Sequence, residues 1–75
     1  MSANELDDFL SQALACFVNA DYHPFGNIEQ TIREAIRSKH KTVKIQTLKL
    51  LPFMLSQSDY CETRALGRKI QKAIQ

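Results

Sequence analysis

The sequence predicts an all-α protein: a small bundle of three to four helices with a helical hairpin at its core, expected to dimerise. Three observations support this class. Apolar residues recur at intervals of three and four, which is helical spacing. Only two Gly and two Pro interrupt the pattern. Clusters of turn-forming residues divide the chain into four segments. Because the chain has 75 residues, we expect one domain spanning residues 1–75.

The first predicted helix runs from about Ala3 to Val18. Ser2 and Glu5 match the S-x-x-E capping box, in which each side chain satisfies a backbone amide. An apolar stripe with helical spacing follows, made of Leu6, Phe9, Leu10, Ala13 and Phe17. This pattern fits either one face of the bundle core or a self-association face for a second copy or a partner.

Residues 19–26 form the clearest break in the helical pattern, because Asn, Asp, Pro and Gly residues favour turns. The second predicted helix follows from about Ile28 to Ser38, with Asn27 as its N-cap. A short polar connection then leads to the third predicted helix. We expect that helix to begin after Thr42 as its N-cap and to reach about Leu55.

The third predicted helix has a wide apolar arc from Val43 to Leu55. An arc of this width indicates a central helix that is contacted on more than one side. Pro52 lies inside the arc, lacks an amide hydrogen and clashes with the carbonyl of Leu48. We therefore expect a kink at this point or an early end near Leu51.

The fourth predicted helix runs from about Tyr60 to Ile74, opened by an Asp59–Glu62 capping box. Its predicted buried stripe is Cys61, Ala65, Leu66, Ile70, Ala73 and Ile74. Gly67 lowers the helix propensity by about 1 kcal/mol relative to Ala. We expect Gly67 to allow a close crossing with another helix.

Charge is distributed unevenly along the chain. The first 32 residues contain five acidic and no basic side chains, whereas residues 33–75 contain ten Lys and Arg against three acids. This asymmetry predicts macromolecular partners of complementary charge. We expect partner or nucleic-acid contacts at the basic stretch 33–49 and at a ridge on the fourth helix: Arg33, Arg37, Lys39, Lys41, Lys44, Lys49, Arg64, Arg68 and Lys72.

The stretch 33–49 allows three interpretations. The second and third predicted helices have the outline of a helix-turn-helix, whose second helix enters the major groove of DNA. Its Lys-rich composition suits phosphate contacts better than base recognition. An acidic protein partner and an ordinary solvated face are the other two interpretations.

The sequence carries no motif for catalysis, cofactor binding or metal binding. Cys16, His23, His40 and Cys61 have unrelated spacings. We therefore expect no enzymatic activity, cofactor, metal site or small-molecule substrate. Two cysteines fit a reducing compartment, the acidic start is unlike a signal peptide, and no apolar run approaches about 18 residues. We expect a cytoplasmic protein without membrane contact.

Several features from residue 28 onward match a known pattern. They are a helix ending in Ile32-Arg-Glu-Ala-Ile36-Arg-Ser, the apolar series Val43, Leu48, Leu51 and Leu55, and a last helix with Leu66-Gly-Arg-Lys-Ile70. In these features the chain resembles the YmgB/AriR type of small connector proteins in bacterial phosphorelay and biofilm control. The resemblance covers about two-thirds of the chain. It implies a helical homodimer that regulates through a signalling protein or DNA.

Together these observations predict a non-enzymatic regulatory adaptor or connector that acts by protein–protein contact as a homodimer. The Leu6–Phe17 stripe or the Val43–Leu55 arc would supply the interface, because the chain has more apolar surface than a monomer of this size should need to hide. One alternative is a DNA-binding transcriptional regulator that uses residues 33–49. Another is an inhibitor or immunity-type protein related to phages or toxins.

Overall fold

Four helices account for most of the chain. The computed structural model describes residues 3–19 and 27–74. The helices are α1 (Ala3–Asn19), α2 (Ile28–Arg37), α3 (Lys41–Ser56) and α4 (Cys61–Ile74). No strand occurs within these two ranges. The all-α class that the sequence predicted is confirmed. Ser2 of the predicted capping box and residues 20–26 of the predicted break lie outside the described residues.

All four helices contribute to one core. Its buried apolar residues are Leu6, Leu10, Ala13, Phe17, Ile28, Ile32, Ala35, Leu48, Leu51, Leu55, Leu66 and Ile70. α1 and α3 each pack against the three other helices, whereas α2 and α4 do not touch each other in the described part of the chain. The central position predicted for the third helix is therefore confirmed, and α1 shares it.

The predicted self-association face lies inside this core. Leu6, Leu10, Ala13 and Phe17 are fully buried, and Phe9 is partly buried against the same cluster. These side chains are covered by the chain's own helices, so a second copy has no access to them. Of the two roles that the sequence allowed for this stripe, the structure assigns the role in the bundle core, which corrects the prediction of a self-association face.

Two predicted helix starts differ from the observed ones, by two residues for α3 and by one residue for α4. α3 begins at Lys41, and His40 rather than Thr42 occupies the N-cap position. α4 begins at Cys61, and the amide of Arg64 donates to the carbonyl of Tyr60 over 3.1 Å. Thr42 therefore lies two residues after the N-cap of α3, and Asp59 lies one residue before Tyr60. Helix boundaries commonly differ by one or two residues.

α3 continues through Pro52 to Ser56. Of the two outcomes expected at Pro52, the early end near Leu51 is therefore wrong, and the kink stays a prediction. Pro52 is buried where α3 meets Gly67 of α4. A Cβ atom at Gly67 would lie 3.0 Å from Cβ of Leu55 and 3.2 Å from the carbonyl oxygen of Pro52. The expected close crossing at Gly67 is confirmed.

The buried face of α4 differs in part from the predicted stripe. Leu66 and Ile70 are buried as expected, but Cys61 and Ala73 are exposed. Thr63 and Gly67 take up the inward positions instead. At Gly67 the reason is the close crossing, because an added side chain would meet Leu55 and Pro52 of α3. Thr63 lies on another part of α4, where it lines a concavity with residues at the end of α1.

Candidate partner-binding surface

Three large apolar side chains of α3 point away from the core. Val43 is 39% exposed, Leu50 53% and Phe53 67%. Their spacing of seven and three residues places them on one face of the helix. The opposite face of α3 carries Leu48 and Leu51, which are fully buried. We call Val43, Leu50 and Phe53 the outer stripe. α3 is therefore apolar on two faces, of which only one is covered.

An open groove of about 850 Å³ adjoins the outer stripe at Phe53. Residues of α3 and α4 line this groove: Pro52, Phe53, Ser56, Ala65, Gly67, Arg68, Lys69, Gln71 and Lys72. Three of these residues are basic and none is acidic. We call this feature the basic groove. Phe53 belongs to both features, so the apolar stripe and the basic groove form one continuous surface.

Most of the predicted contact residues are exposed. Exposed members of the 33–49 stretch are Arg33, Arg37, Lys39, Lys41 and Lys49. Arg68 and Lys72 line the basic groove, as does Lys69, which is not among the predicted contact residues. The remaining two predicted contacts, Lys44 and Arg64, have structural roles.

Lys44 is buried, with only 5% of its surface exposed. Its Nζ atom lies 2.5 Å from Oδ1 of Asp7 and donates over 3.0 Å to the carbonyl oxygen of Ile36. This carbonyl belongs to the last turn of α2, where backbone acceptors lack helical partners. Lys44 thus joins α1, α2 and α3. The prediction that Lys44 contacts a partner or a nucleic acid is wrong, because its ammonium group is buried.

Arg64 is half-buried and holds the connection between α3 and α4. Its Nη1 atom donates over 2.8 Å to the carbonyl oxygen of Ser58. The hydroxyl of Ser58, a buried residue, accepts from the amide of Tyr60 over 3.1 Å. The guanidinium of Arg64 therefore serves the turn, whereas Arg68 one turn later lines the groove.

A second, smaller concavity of about 330 Å³ lies where α1 ends and α4 begins. It is lined by Ala15, Cys16, Asn19, Tyr60, Glu62 and Thr63. Cys16 and Cys61 are both free thiols. Among the described residues, no three His, Cys, Asp or Glu side chains are placed to hold a metal ion. His23 lies outside the described residues.

Comparison of the chain with protein-family models, characterised proteins and solved structures gives no match. The resemblance to YmgB/AriR-type connectors therefore stays a prediction. Within the described ranges, no helix has the length and apolarity that crossing a membrane requires.

The nucleic-acid alternative also stays a prediction. In a helix-turn-helix, α3 would be the helix that enters the major groove. The outward face of α3 carries the outer stripe together with the exposed polar residues Lys41, Thr42, Gln46 and Lys49. Lys44 is buried and paired with Asp7, so it is not available to a phosphate. Exposed Val, Leu and Phe side chains match a protein surface better than a row of phosphates.

Proposed function

We propose that this protein is a non-enzymatic adaptor that binds another protein through the outer stripe and the basic groove. The observation that carries this proposal is the position of Phe53. Its ring is 67% exposed on a helix whose other face already supplies Leu48, Leu51 and Leu55 to the core. A fold that needs Phe53 for its own stability would cover it.

The composition of the surface supports the same function. Aromatic and Arg side chains are enriched in protein interfaces, where an apolar centre is surrounded by a polar rim. Here Leu50 and Phe53 are the apolar centre, while Arg68, Lys69 and Lys72 line the adjoining groove. A contiguous exposed apolar patch with a charged border is typical of an interaction site.

The test is affinity capture from cells of the source organism with three forms of the chain. The forms are wild type, the double variant Leu50→Ser/Phe53→Ser, and the matched control Val18→Ser, which removes an exposed apolar side chain from α1. We expect a protein captured by wild type and by the control but lost from the double variant. Identical sets of captured proteins for all three forms would contradict the proposal.

The homodimer expected from the sequence is untested. With the Leu6–Phe17 stripe buried, the outer stripe is a large apolar surface within residues 3–19 and 27–74 on which a second copy could dock. The same purified variants therefore address this expectation in sedimentation experiments, since a dimer formed there would be lost in Leu50→Ser/Phe53→Ser and kept in Val18→Ser.

A further inference from the structure

We infer that the occupant of this surface is an amphipathic helix whose apolar face is flanked by acidic residues. The inference rests on the proposed function and specifies the chemistry of the partner. In this arrangement the apolar side chains of the partner contact Leu50 and Phe53. Its Asp or Glu side chains face Arg68, Lys69 and Lys72 in the basic groove.

The shape of the surface suits a helix. Val43 and Phe53 are ten residues apart on one side of α3, which corresponds to about 15 Å of helix axis. That length matches about three turns of a partner helix lying along α3. A helix bound in this way uses anchors at positions i, i+3, i+4 and i+7, which meet a single apolar strip. The residues of α4 that line the adjoining basic groove form the second wall of the site, opposite the outer stripe.

The charge of the surface selects an acidic partner. The groove is lined by Arg68, Lys69 and Lys72 without any Asp or Glu. Lys49, one turn before Phe53 on α3, is exposed as well, and α3 contains no acidic residue. Opposite charges across an interface raise the association rate and reject partners of the wrong sign. A partner with basic flanks is therefore disfavoured.

The same charges argue against two other occupants. If the α3 helices of two copies packed together symmetrically, Lys49 and the basic groove residues of both copies would come close to each other. These like charges would repel, because α3 has no carboxylate to offset them. α1, the acidic helix, buries its apolar stripe in the core and so lacks anchors. A nucleic acid could pair its phosphates with the basic side chains of the groove. It would also place Leu50 and Phe53 against charged phosphates, so the burial of these two apolar side chains would contribute no binding free energy.

The experiment uses the full chain and three synthetic helical peptides of about 18 residues, the length of about five helical turns. The first has Leu at i, i+3, i+4 and i+7 spacing with Glu on both flanks. The second keeps the Leu residues and replaces Glu by Lys. The third keeps Glu and replaces Leu by Ser. Fluorescence anisotropy measures affinity, and amide chemical shifts locate the site.

We expect the first peptide alone to bind, with shifts centred on Leu50, Phe53 and Arg68. The double variant Arg68→Glu/Lys72→Glu should weaken this binding by more than about tenfold and gain binding of the Lys-flanked peptide. Both substitutions are at exposed positions, and circular dichroism checks that the variant is folded. Arg33→Glu/Arg37→Glu on α2 makes the same change of charge at two exposed residues outside the basic groove and should leave the affinity unchanged. A loss of binding as large as that of the groove variant would place the contact at residues 33–49 and overturn the inference.

Three other results would overturn the inference. One is equal binding of the Glu-flanked and Lys-flanked peptides, and another is binding of the Ser peptide or of duplex DNA that is unaffected by Phe53→Ser. The third is a second copy occupying the outer stripe in sedimentation. If cellular capture depends on Leu50 and Phe53 while the charge reversal has no effect, the adaptor function holds and only the acidic partner is wrong. If neither matters, both proposals fail.

Discussion

Lys44 shows how the role of a single residue depends on packing. Its position among other Lys and Arg residues predicts that it belongs to a basic contact surface. Its spacing from Leu48, Leu51 and Leu55 places it on the buried stripe, a signal that the sequence did contain. The sequence could not show that Asp7, 37 positions earlier, would meet it. A buried ammonium group is tolerated only with such partners.

Removing Asp7 and removing Lys44 should lower the free energy of unfolding by unequal amounts. The Asp7 side chain is 43% exposed and can be hydrated, whereas that of Lys44 is 6% exposed. We expect Asp7→Ala to lower the free energy of unfolding by about 2 kcal/mol, because it leaves a buried cation without a counter-charge. Lys44→Met should cost about 1 kcal/mol or less, since apolar packing replaces the cation.

Urea unfolding of the purified variants measures both values. Asp8→Ala, at the exposed neighbouring position on α1, is the control and should change the free energy of unfolding by less than about 0.5 kcal/mol. A larger loss for Lys44→Met than for Asp7→Ala would show that Lys44 contributes mainly through its bond to the carbonyl of Ile36.

At the scale of elements, the sequence predicted four helices and placed each of them within a few residues. The reason is that apolar periodicity depends on the chain itself, whereas helix ends depend on neighbours. Pro52 illustrates the difference: its missing amide suggested a break, but α3 continues for four more residues because its face is packed against α4. Local propensity was outweighed by tertiary packing.

The close crossing of α3 and α4 should make Gly67 intolerant of a side chain. Gly67→Ala gains about 1 kcal/mol of helix propensity. The added methyl group would meet Leu55 and the backbone carbonyl of Pro52 at 3.0 and 3.2 Å, and neither is the end of a flexible side chain. We expect a net loss of about 1–2 kcal/mol of unfolding free energy. Gln71→Ala on the exposed face of α4 is the control, and a stabilised Gly67→Ala would show that the crossing relaxes easily.

Substitutions of the two arginines of α4 should affect different properties: Arg64 the stability of the fold, and Arg68 the affinity for the partner. Arg64→Gln removes the 2.8 Å hydrogen bond to the carbonyl oxygen of Ser58. It should therefore lower the free energy of unfolding by about 1 kcal/mol. Arg68→Gln, one helical turn later, should leave stability unchanged and weaken the Glu-flanked peptide. Thermal unfolding and anisotropy measured on both variants test this division. It is refuted if Arg68→Gln destabilises the fold as much as Arg64→Gln does.

At the scale of the molecule, the sequence made the fold class predictable but not the site. Periodicity identifies a helix with a wide apolar arc, as in α3, without indicating which part of the arc the other helices cover. The structure covers Leu48, Leu51 and Leu55 and leaves Val43, Leu50 and Phe53 outside. Charge counting indicated a basic partner surface, yet only packing could remove Lys44 from it and add Lys69.

The burial of the Leu6–Phe17 stripe also changes the expected oligomeric state. The sequence predicts a homodimer because the chain has more apolar surface than a monomer of this size should need to hide. Since one copy hides that stripe by itself, we expect a single species of 8.6 kDa in sedimentation velocity at micromolar concentration without a partner. A species of twice that mass, abolished by Leu50→Ser/Phe53→Ser, would restore the homodimer and exclude the acidic helix as the main occupant.

The bases beside the outer stripe also have a consequence for the colloidal behaviour of the protein. Lys49, Arg68 and Lys72 give colliding copies the same sign of charge at the place where their exposed rings would otherwise adhere. Salt shortens the range of this repulsion from about 10 Å at 0.1 M to about 3 Å at 1 M. Concentrated salt should therefore make the solution turbid, and a soluble acidic peptide that fits the surface should keep it clear.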